Sequence, residues 1–365
     1  MVGHGDSCNG HYEDWLAERS PETVETLRSL GGRILGQLYR ESPVPEELYP
    51  TSYLTDRAVD FLDRYAGGQL GPEPFLLKVS YPDPHHPCTP PGRYARMVRP
   101  EDIALPPSFG EVEAVRSHPY LGQRLDLPGL RSMMFRTSDE EEVRHFTSHT
   151  YGMISMIDDS VGEILAALDR HGLTDDTIIV YTSDHGDMMG DHGMVLKGWL
   201  PYQGVLHIPM IFKVPGVAKA GGVSDALVSS VDIAPTLLNL CGVDRDRQPP
   251  DMQGIDITPM LEDPKLHIRD CCLAEIDEND TGLAEVMPGS RATAGRLKYL
   301  ITERYSMTIY GGIPGYGDLF DRQEDPHETK NLWHSRADLR AELVERLLFE
   351  VIEQQSMYPR KQAMA

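Results

Sequence analysis

The chain has 365 residues, enough for one large domain or two smaller ones. It is 40% hydrophobic and 25% charged, the balance of a globular protein, and holds no apolar run near the ~20 residues of a membrane span. A formal net charge of −23 argues against nucleic acid and anionic membranes as partners, but leaves room for a small anionic substrate held by local positive charge.

The start, Met1-Val2-Gly3-His4-Gly5-Asp6, has neither the basic residues nor the apolar segment of a signal peptide. Residues 1–50 are polar and turn-rich. Thr51 to Tyr65 predicts a helix capped by Thr51, with Leu54, Ala58, Phe61, Leu62 and Tyr65 as its apolar face and Gly67-Gly68 as its stop. Pro74 to Ser80 predicts a strand, followed by a proline-rich loop containing Pro84-His85-His86-Pro87. Two histidines at a strand end can donate hydrogen bonds to an oxyanion or protonate a leaving group. An exposed pair in a turn is the alternative. Residues 92–147 are irregular and charged, and are expected over the surface near the site.

A helix follows, with Tyr151, Ile154, Ile157, Val161, Ile164, Leu165 and Leu168 at helical spacing and Gly172 at its end. Thr177-Ile178-Ile179-Val180-Tyr181 reads as a buried parallel strand. It delivers Thr182-Ser183-Asp184-His185-Gly186-Asp187 to a strand's carboxyl end, where α/β sheets place their ligands. Asp184 and His185, an adjacent carboxylate and imidazole on a Gly-flanked loop, can bind a divalent metal or satisfy backbone groups. Ile208 to Val214 predicts another strand, and Asp232 to Leu240 a helix with Pro235 in its first turn.

Helices alternating with short strands indicate a mainly parallel α/β sheet. After about residue 265, strand-like pieces such as Leu297 to Thr302 precede an amphipathic helix carrying Leu339, Leu343, Leu347 and Val351. The expected division is an α/β domain over 1–265 and a small antiparallel α+β subdomain over 266–365. The five cysteines, Cys8, Cys88, Cys241, Cys271 and Cys272, show neither zinc spacing nor an even-numbered disulfide framework, and fit reduced thiols in a cytoplasmic protein.

Longer patterns carry a resemblance. Tyr181 to Lys197, with Lys197 twelve residues after His185, resembles the metal-and-lysine segment of the sulfatase branch of the alkaline phosphatase superfamily. Pro74 to Pro91 resembles the segment in which an apolar strand runs into Pro-His-x-Pro, which puts the functional histidine at His85 and leaves His86 on a variable position. Val231 to Leu238, Gln253 to Leu261, and Asp318 to Asp321 with Glu324 to Glu328 and Asn331-Leu332 resemble further family segments and read as structural. The resemblance runs from about Tyr53 to the final helix.

It implies an alkaline-phosphatase-like, mainly parallel sheet flanked by helices. It also implies a sulfuric ester hydrolase acting on a small anionic sulfate ester, with one divalent metal ion on Asp184 and His185. Lys197 would contact the sulfate and the bridging oxygen, where a fixed cation offsets charge growing on the leaving oxygen, and His85 would assist. The family's alternative Asp-Asn pair gives oxygen ligation suited to calcium. The nitrogen of His185 tilts the choice toward manganese or zinc, with calcium still open. A hydrogen bond from His185 to substrate ranks below ligation, and Asp187, Asp191 and His192 are expected to shape the loop.

The chain departs from the family in one region. The nucleophile segment Cys- or Ser-x-Pro-Ser-Arg, whose Cys or Ser becomes formylglycine, is absent, as are the N-terminal acidic pair and the Gly-Lys-x-His segment. Cys88 does not replace it, because Gly92 stands four residues on and Arg93 one further. Residues 3–16 resemble an interior segment of such an enzyme. The expectation is therefore an N-terminally truncated chain with an exposed sheet edge and part of a metal shell. A phosphonate or phosphate ester hydrolase of the same superfamily, or a non-catalytic sulfatase-like protein, are the alternatives. The loops 92–147 and 303–317 are expected to set the substrate.

Overall fold

The computed structural model describes residues 10–30, 38–122, 137, 139–197, 201–250, 252–277 and 296–357. Two compact units divide the chain: residues 1–106 with 137–177, and residues 107–136 with 178–365. No helix among the described residues is long and apolar enough to cross a membrane. Cys88, Cys241, Cys271 and Cys272 are unbridged, and Cys8 lies outside the described residues.

The first unit is helical. Helices α1 (Gly10–Arg19) and α2 (Pro21–Leu30) share a core with Tyr49, Tyr94 and Met156. Helix α3 (Pro50–Ala66) begins with Pro50 at a position where a missing N–H costs nothing, and Tyr49 is its N-cap. Thr51, expected as the cap, sits one residue inside. Its hydroxyl is buried and donates instead to Asp83 Oδ2 at 2.7 Å, joining α3 to the loop that carries His85.

Helix α5 (Glu140–Arg170) follows α4 (Val112–Ser117) in the chain and is capped by Asp139, which accepts from the Glu141 and Glu142 amides. Its buried face keeps only Ile157 and Leu168 of the expected apolar stripe. Tyr151, Ile154 and Leu165 are exposed, while Val143, Phe146 and Met153 are buried beside Thr147, Ser148, Thr150 and Ser160. The helix itself satisfies two of these small polar residues. Thr150 Oγ1 donates to Phe146 O at 2.9 Å and Ser148 Oγ to His145 O at 2.9 Å.

Pro74 to Ser80, expected as a strand, joins no ladder among the described residues and leaves Leu76 90% exposed. In the second unit β1 (Ile179–Thr182) pairs with β2 (Met210–Lys213), and the pairing is antiparallel, from Ile179 opposite Lys213 to Thr182 opposite Met210. No two of the described strands pair in parallel, contrary to the expected ladder. The intervening chain explains it. A parallel return needs a helical crossover. Among the described residues, only turns, a three-residue 3-10 helix (Asp191–Gly193) and the four-residue helix α6 (Gln203–Leu206) separate Thr182 from Met210, so the chain re-enters near where it left.

Helix α7 (Ile233–Leu240) begins after a capping box in which Ser229 and Asp232 exchange hydrogen bonds. Asp232 is fully buried. It also accepts from the Ile255 amide at 2.9 Å, just before the short helix α8 (Thr258–Glu262), and from Arg269 Nη2 at 2.6 Å. The antiparallel C-terminal sheet is a meander of β3 (Cys271–Asp277), β4 (Arg296–Thr302), β5 (Tyr305–Tyr310) and β6 (Gly317–Asp321). Helix α9 (Ala337–Met357) packs Leu339, Leu343 and Leu347 against Leu300, Met307 and Leu319. The expected variable loop at 303–317 thus contains β5, an inner strand with Ser306, Met307 and Thr308 buried. Its alternation of hydroxyl and apolar residues hid a strand in which Ser306 and Thr308 are both buried.

Replacing Asp232 by Ala strands the Arg269 guanidinium and two backbone amides. The expected cost is about 3–5 kcal/mol, measured as a loss of unfolding free energy in denaturant. A change below about 1 kcal/mol would show that solvent replaces those bonds.

Candidate metal-binding loop

Residues 183–197 form a loop braced at both ends. Met189 N donates to Val195 O at 3.0 Å, Gly190 N to Met194 O at 2.7 Å and Asp191 N to Met188 O at 2.8 Å. Met188, Met194, Val195 and Leu196 are buried. Met189 and His192 take left-handed backbone angles, φ 52° and 53°, a conformation held by the surrounding bonds rather than by their own preference. Ser108 ties the loop down, donating to Asp191 Oδ1 at 2.6 Å and accepting from His192 N at 3.2 Å. Asp191 and His192 thus act in the loop's architecture, as the sequence implied.

Gly186 sets the path of the motif. Its N–H donates to Val205 O at 2.8 Å, and a Cβ on it would lie 2.1 Å from the Gly204 carbonyl oxygen. Only glycine permits that approach. The adjacent Asp184 and His185 are held by local bonds: His185 N donates to Asp184 Oδ1 at 2.9 Å, and Ser183 Oγ to His185 O at 3.0 Å. The His185 ring lies with Nδ1 2.9 Å from Gly186 O. A carbonyl can only accept, so Nδ1 carries the proton and Nε2 the lone pair. That nitrogen is 3.7 Å from Asp184 Oδ2, a spacing two donors of one divalent ion can close.

The electrostatics favour a cation. The protein around Asp184 opposes its ionisation, but His185, backbone hydrogen bonds and Lys197 together hold its carboxyl below the usual range. Asp187 behaves oppositely. Burial pushes it up to about 6 against the pull of Lys197 and His185, and its Oδ1 is buried with no hydrogen-bond partner among the described residues. Lys197 is half-buried at the loop's end and acts on both carboxylates. Gly198 and Trp199, its expected neighbours, lie outside the described residues. The donor set suits a divalent ion but is short of a full shell. Among the described residues no group of three or more His, Cys, Asp and Glu converges.

Asp184, His185 and Lys197 therefore share one loop system of the second unit. His85 belongs to the first unit, on a turn in which its N–H donates to Pro82 O at 3.1 Å. Its Nδ1 lies 2.6 Å from His86 O, which places its lone pair on Nε2, and its ring stacks on His86 at 4.2 Å between centroids. Cys88 is fully buried, with Sγ 3.2 Å from Thr150 Oγ1, which removes it as an accessible nucleophile. Glu328, read from sequence only as part of a structural signature, is the residue that reading undervalued. It is buried, has φ 54°, and accepts from the Gln203 amide at 2.8 Å. Burial pushes its pKa up to about 7.

A family model described as Sulfatase matches residues 10–243, and one described as N-sulphoglucosamine sulphohydrolase, C-terminal, matches residues 190–355. The arylsulfatase of Clostridium perfringens is 27% identical over 327 residues, 89% of this chain and 62% of that protein. The multifunctional alkaline phosphatase superfamily protein PehA of Trinickia caryophylli is 28% identical over 344 residues, 88% of this chain and 63% of that protein. This chain thus spans less than two thirds of either relative's length. The crystal structure of the phosphonate monoester hydrolase of Agrobacterium radiobacter superposes with a TM-score of 0.79 at 29% identity, covering 95% of this chain and 70% of that one. The fold is accordingly alkaline-phosphatase-like.

Two outcomes follow from this geometry. Gly186→Ala should displace the loop and weaken divalent-metal binding about tenfold or more in a Mn2+ titration; equal affinity would show the Gly204 contact to be yielding. Asp187 and Glu328 hold their protons more tightly folded than at their ordinary 3.8 and 4.5, so their contribution to stability is greatest below those values and falls as pH rises through about 6 and 7. The thermal midpoint of the metal-free chain should drop between pH 5 and 8, and Glu328→Gln should flatten the upper part of that slope.

Proposed function

Because the chain belongs to the sulfatase family, whose model matches residues 10–243, we propose that it serves the hydrolysis of small anionic sulfate esters. Asp184 and His185 would be two ligands of one divalent ion. The observation that carries this reading is the pairing of the His185 Nε2 lone pair with Asp184 Oδ2 at 3.7 Å, on a loop that Gly186 fixes. When bound, such an ion would neutralise charge on the ester's oxygens.

The residues of this chain take separate parts. Lys197 is a cation anchored behind the buried run Met194-Val195-Leu196, and its ammonium would offset charge gathering on the bridging oxygen as the S–O bond breaks. His85 holds Nδ1–H on the His86 carbonyl, so in its imidazolium form the second proton sits on Nε2, from which it can pass to the departing oxygen. The attacking group is assigned to none of these residues. In the family resemblance it is a formylglycine made from Cys- or Ser-x-Pro-Ser-Arg, a segment these 365 residues do not contain. Manganese or zinc suits the mixed oxygen and nitrogen donors better than calcium.

A second reading, hydrolysis of phosphonate or phosphate esters, is supported by the likeness to the Agrobacterium radiobacter phosphonate monoester hydrolase. The two ester classes offer tetrahedral anions of similar size and charge.

The chain alone should bind one Mn2+ weakly, lose it in Asp184→Asn, and turn over no aryl sulfate. Unchanged binding in that variant would remove the metal from this loop. Joined to a first segment carrying Cys-x-Pro-Ser-Arg, it should hydrolyse p-nitrophenyl sulfate, and Lys197→Ala should lower kcat by about 10²–10³. Faster turnover of p-nitrophenyl phenylphosphonate would select the second reading. Turnover of neither would mark a sulfatase-fold protein without catalysis.

A further inference from the structure

We propose that Glu328 is a positioning residue for the Asp184–His185 loop, acting through the short helix α6; this rests on reading those two residues as metal ligands. Glu328 lies between two elements of the second unit. Its Oε1 accepts from Ser306 Oγ at 3.2 Å, and Ser306 is fully buried in the inner strand β5. Its Oε2 accepts from the Gln203 amide at 2.8 Å, the first N–H of α6. A four-residue helix has too few internal bonds to hold its own place. Glu328 supplies the missing anchor from the sheet, and Gln203 Nε2 adds a second tie to Tyr299 Oη on β4 at 3.3 Å.

What α6 then holds is the motif. Val205 O accepts the Gly186 N–H at 2.8 Å, and the Gly204 carbonyl is the surface on which Gly186 rests. Gly186 O in turn receives Nδ1–H of His185 at 2.9 Å, so the direction of His185 Nε2 follows the Gly186 peptide. The sequence of contacts is continuous: Ser306, Glu328, Gln203, Val205, Gly186, His185. Each step is a hydrogen bond or a covalent neighbour within α6 or the loop. A carboxylate that stays buried among neutral donors is costly, and two acceptor oxygens at fixed separation are what this bridge uses. Glutamine keeps the acceptor for Gln203 N in its carbonyl oxygen, and its amide donates to Ser306 Oγ, reversing that bond without breaking the bridge.

The test compares Glu328→Ala, Glu328→Gln and Asp184→Asn in the full chain by hydrogen exchange and Mn2+ titration. In Glu328→Ala, exchange in the peptide spanning 183–190 should quicken by about tenfold, with the β4 and β5 amides unchanged. Mn2+ affinity should fall about tenfold, and Glu328→Gln should restore both. Unchanged exchange at 183–190, a loss spread evenly over the sheet, or a glutamine variant no better than alanine would each overturn the proposal. If the alanine variant does not fold, Gln203→Pro removes the same N–H at a helix position that accepts proline, leaves Glu328 in place, and should quicken 183–190 alike. Mn2+ affinity unaltered by Asp184→Asn would defeat the metal reading instead, while the exchange result would still decide whether Glu328 holds Gly186.

Discussion

The Gly186 backbone touches the Gly204 backbone at a distance that no side chain permits, and the geometry of the candidate site depends on that contact. The Gly186 N–H bond to Val205 O fixes one side of the peptide, and the His185 ring uses the other. A loop fixed this way needs no ion to hold Asp184 and His185 together, so less of a ligand's binding energy is lost in ordering the chain. The same packing buries Met188, Met194, Val195 and Leu196 beneath the polar residues, and Met188 and Met194 join the core of the second unit with Tyr202, Val205 and Phe320.

That core also concentrates charge. The chain carries a formal −23, and a uniformly negative surface would repel a sulfate ester. Lys197 is set at the end of a buried apolar run, where weak screening lets one ammonium act on Asp184 and Asp187 together. Local attraction for an anion is thus compatible with an acidic protein, provided a cation is anchored rather than solvated.

Local features were readable in the sequence; long-range ones were not. The span of α3, the start of α7 at Asp232, the antiparallel character of the C-terminal sheet and the placement of Asp184 and His185 just past a strand all follow from nearby residues. Part of the buried face of α5 was hidden because Thr147, Ser148 and Thr150 read as polar, whereas the helix carbonyls satisfy two of them. The direction of the β1–β2 pair was misjudged because it is set by the connection, not by the strands. Strand β5 passed as a loop because its buried hydroxyl residues, Ser306 and Thr308, read as polar. Glu328 lies 125 residues from Gln203, and no local pattern reports such a partner.

Cys88 has a different use. It is fully buried in the first unit, at a bridge to Tyr39, with its sulfur against Thr150. A thiol so enclosed reacts with an alkylating probe only when its surroundings open. Cys241, by contrast, is exposed in the second unit and reacts at once. The labelling rate of Cys88 therefore times the opening of the helical unit by itself, with Cys241 in the same molecule as an internal clock of the probe.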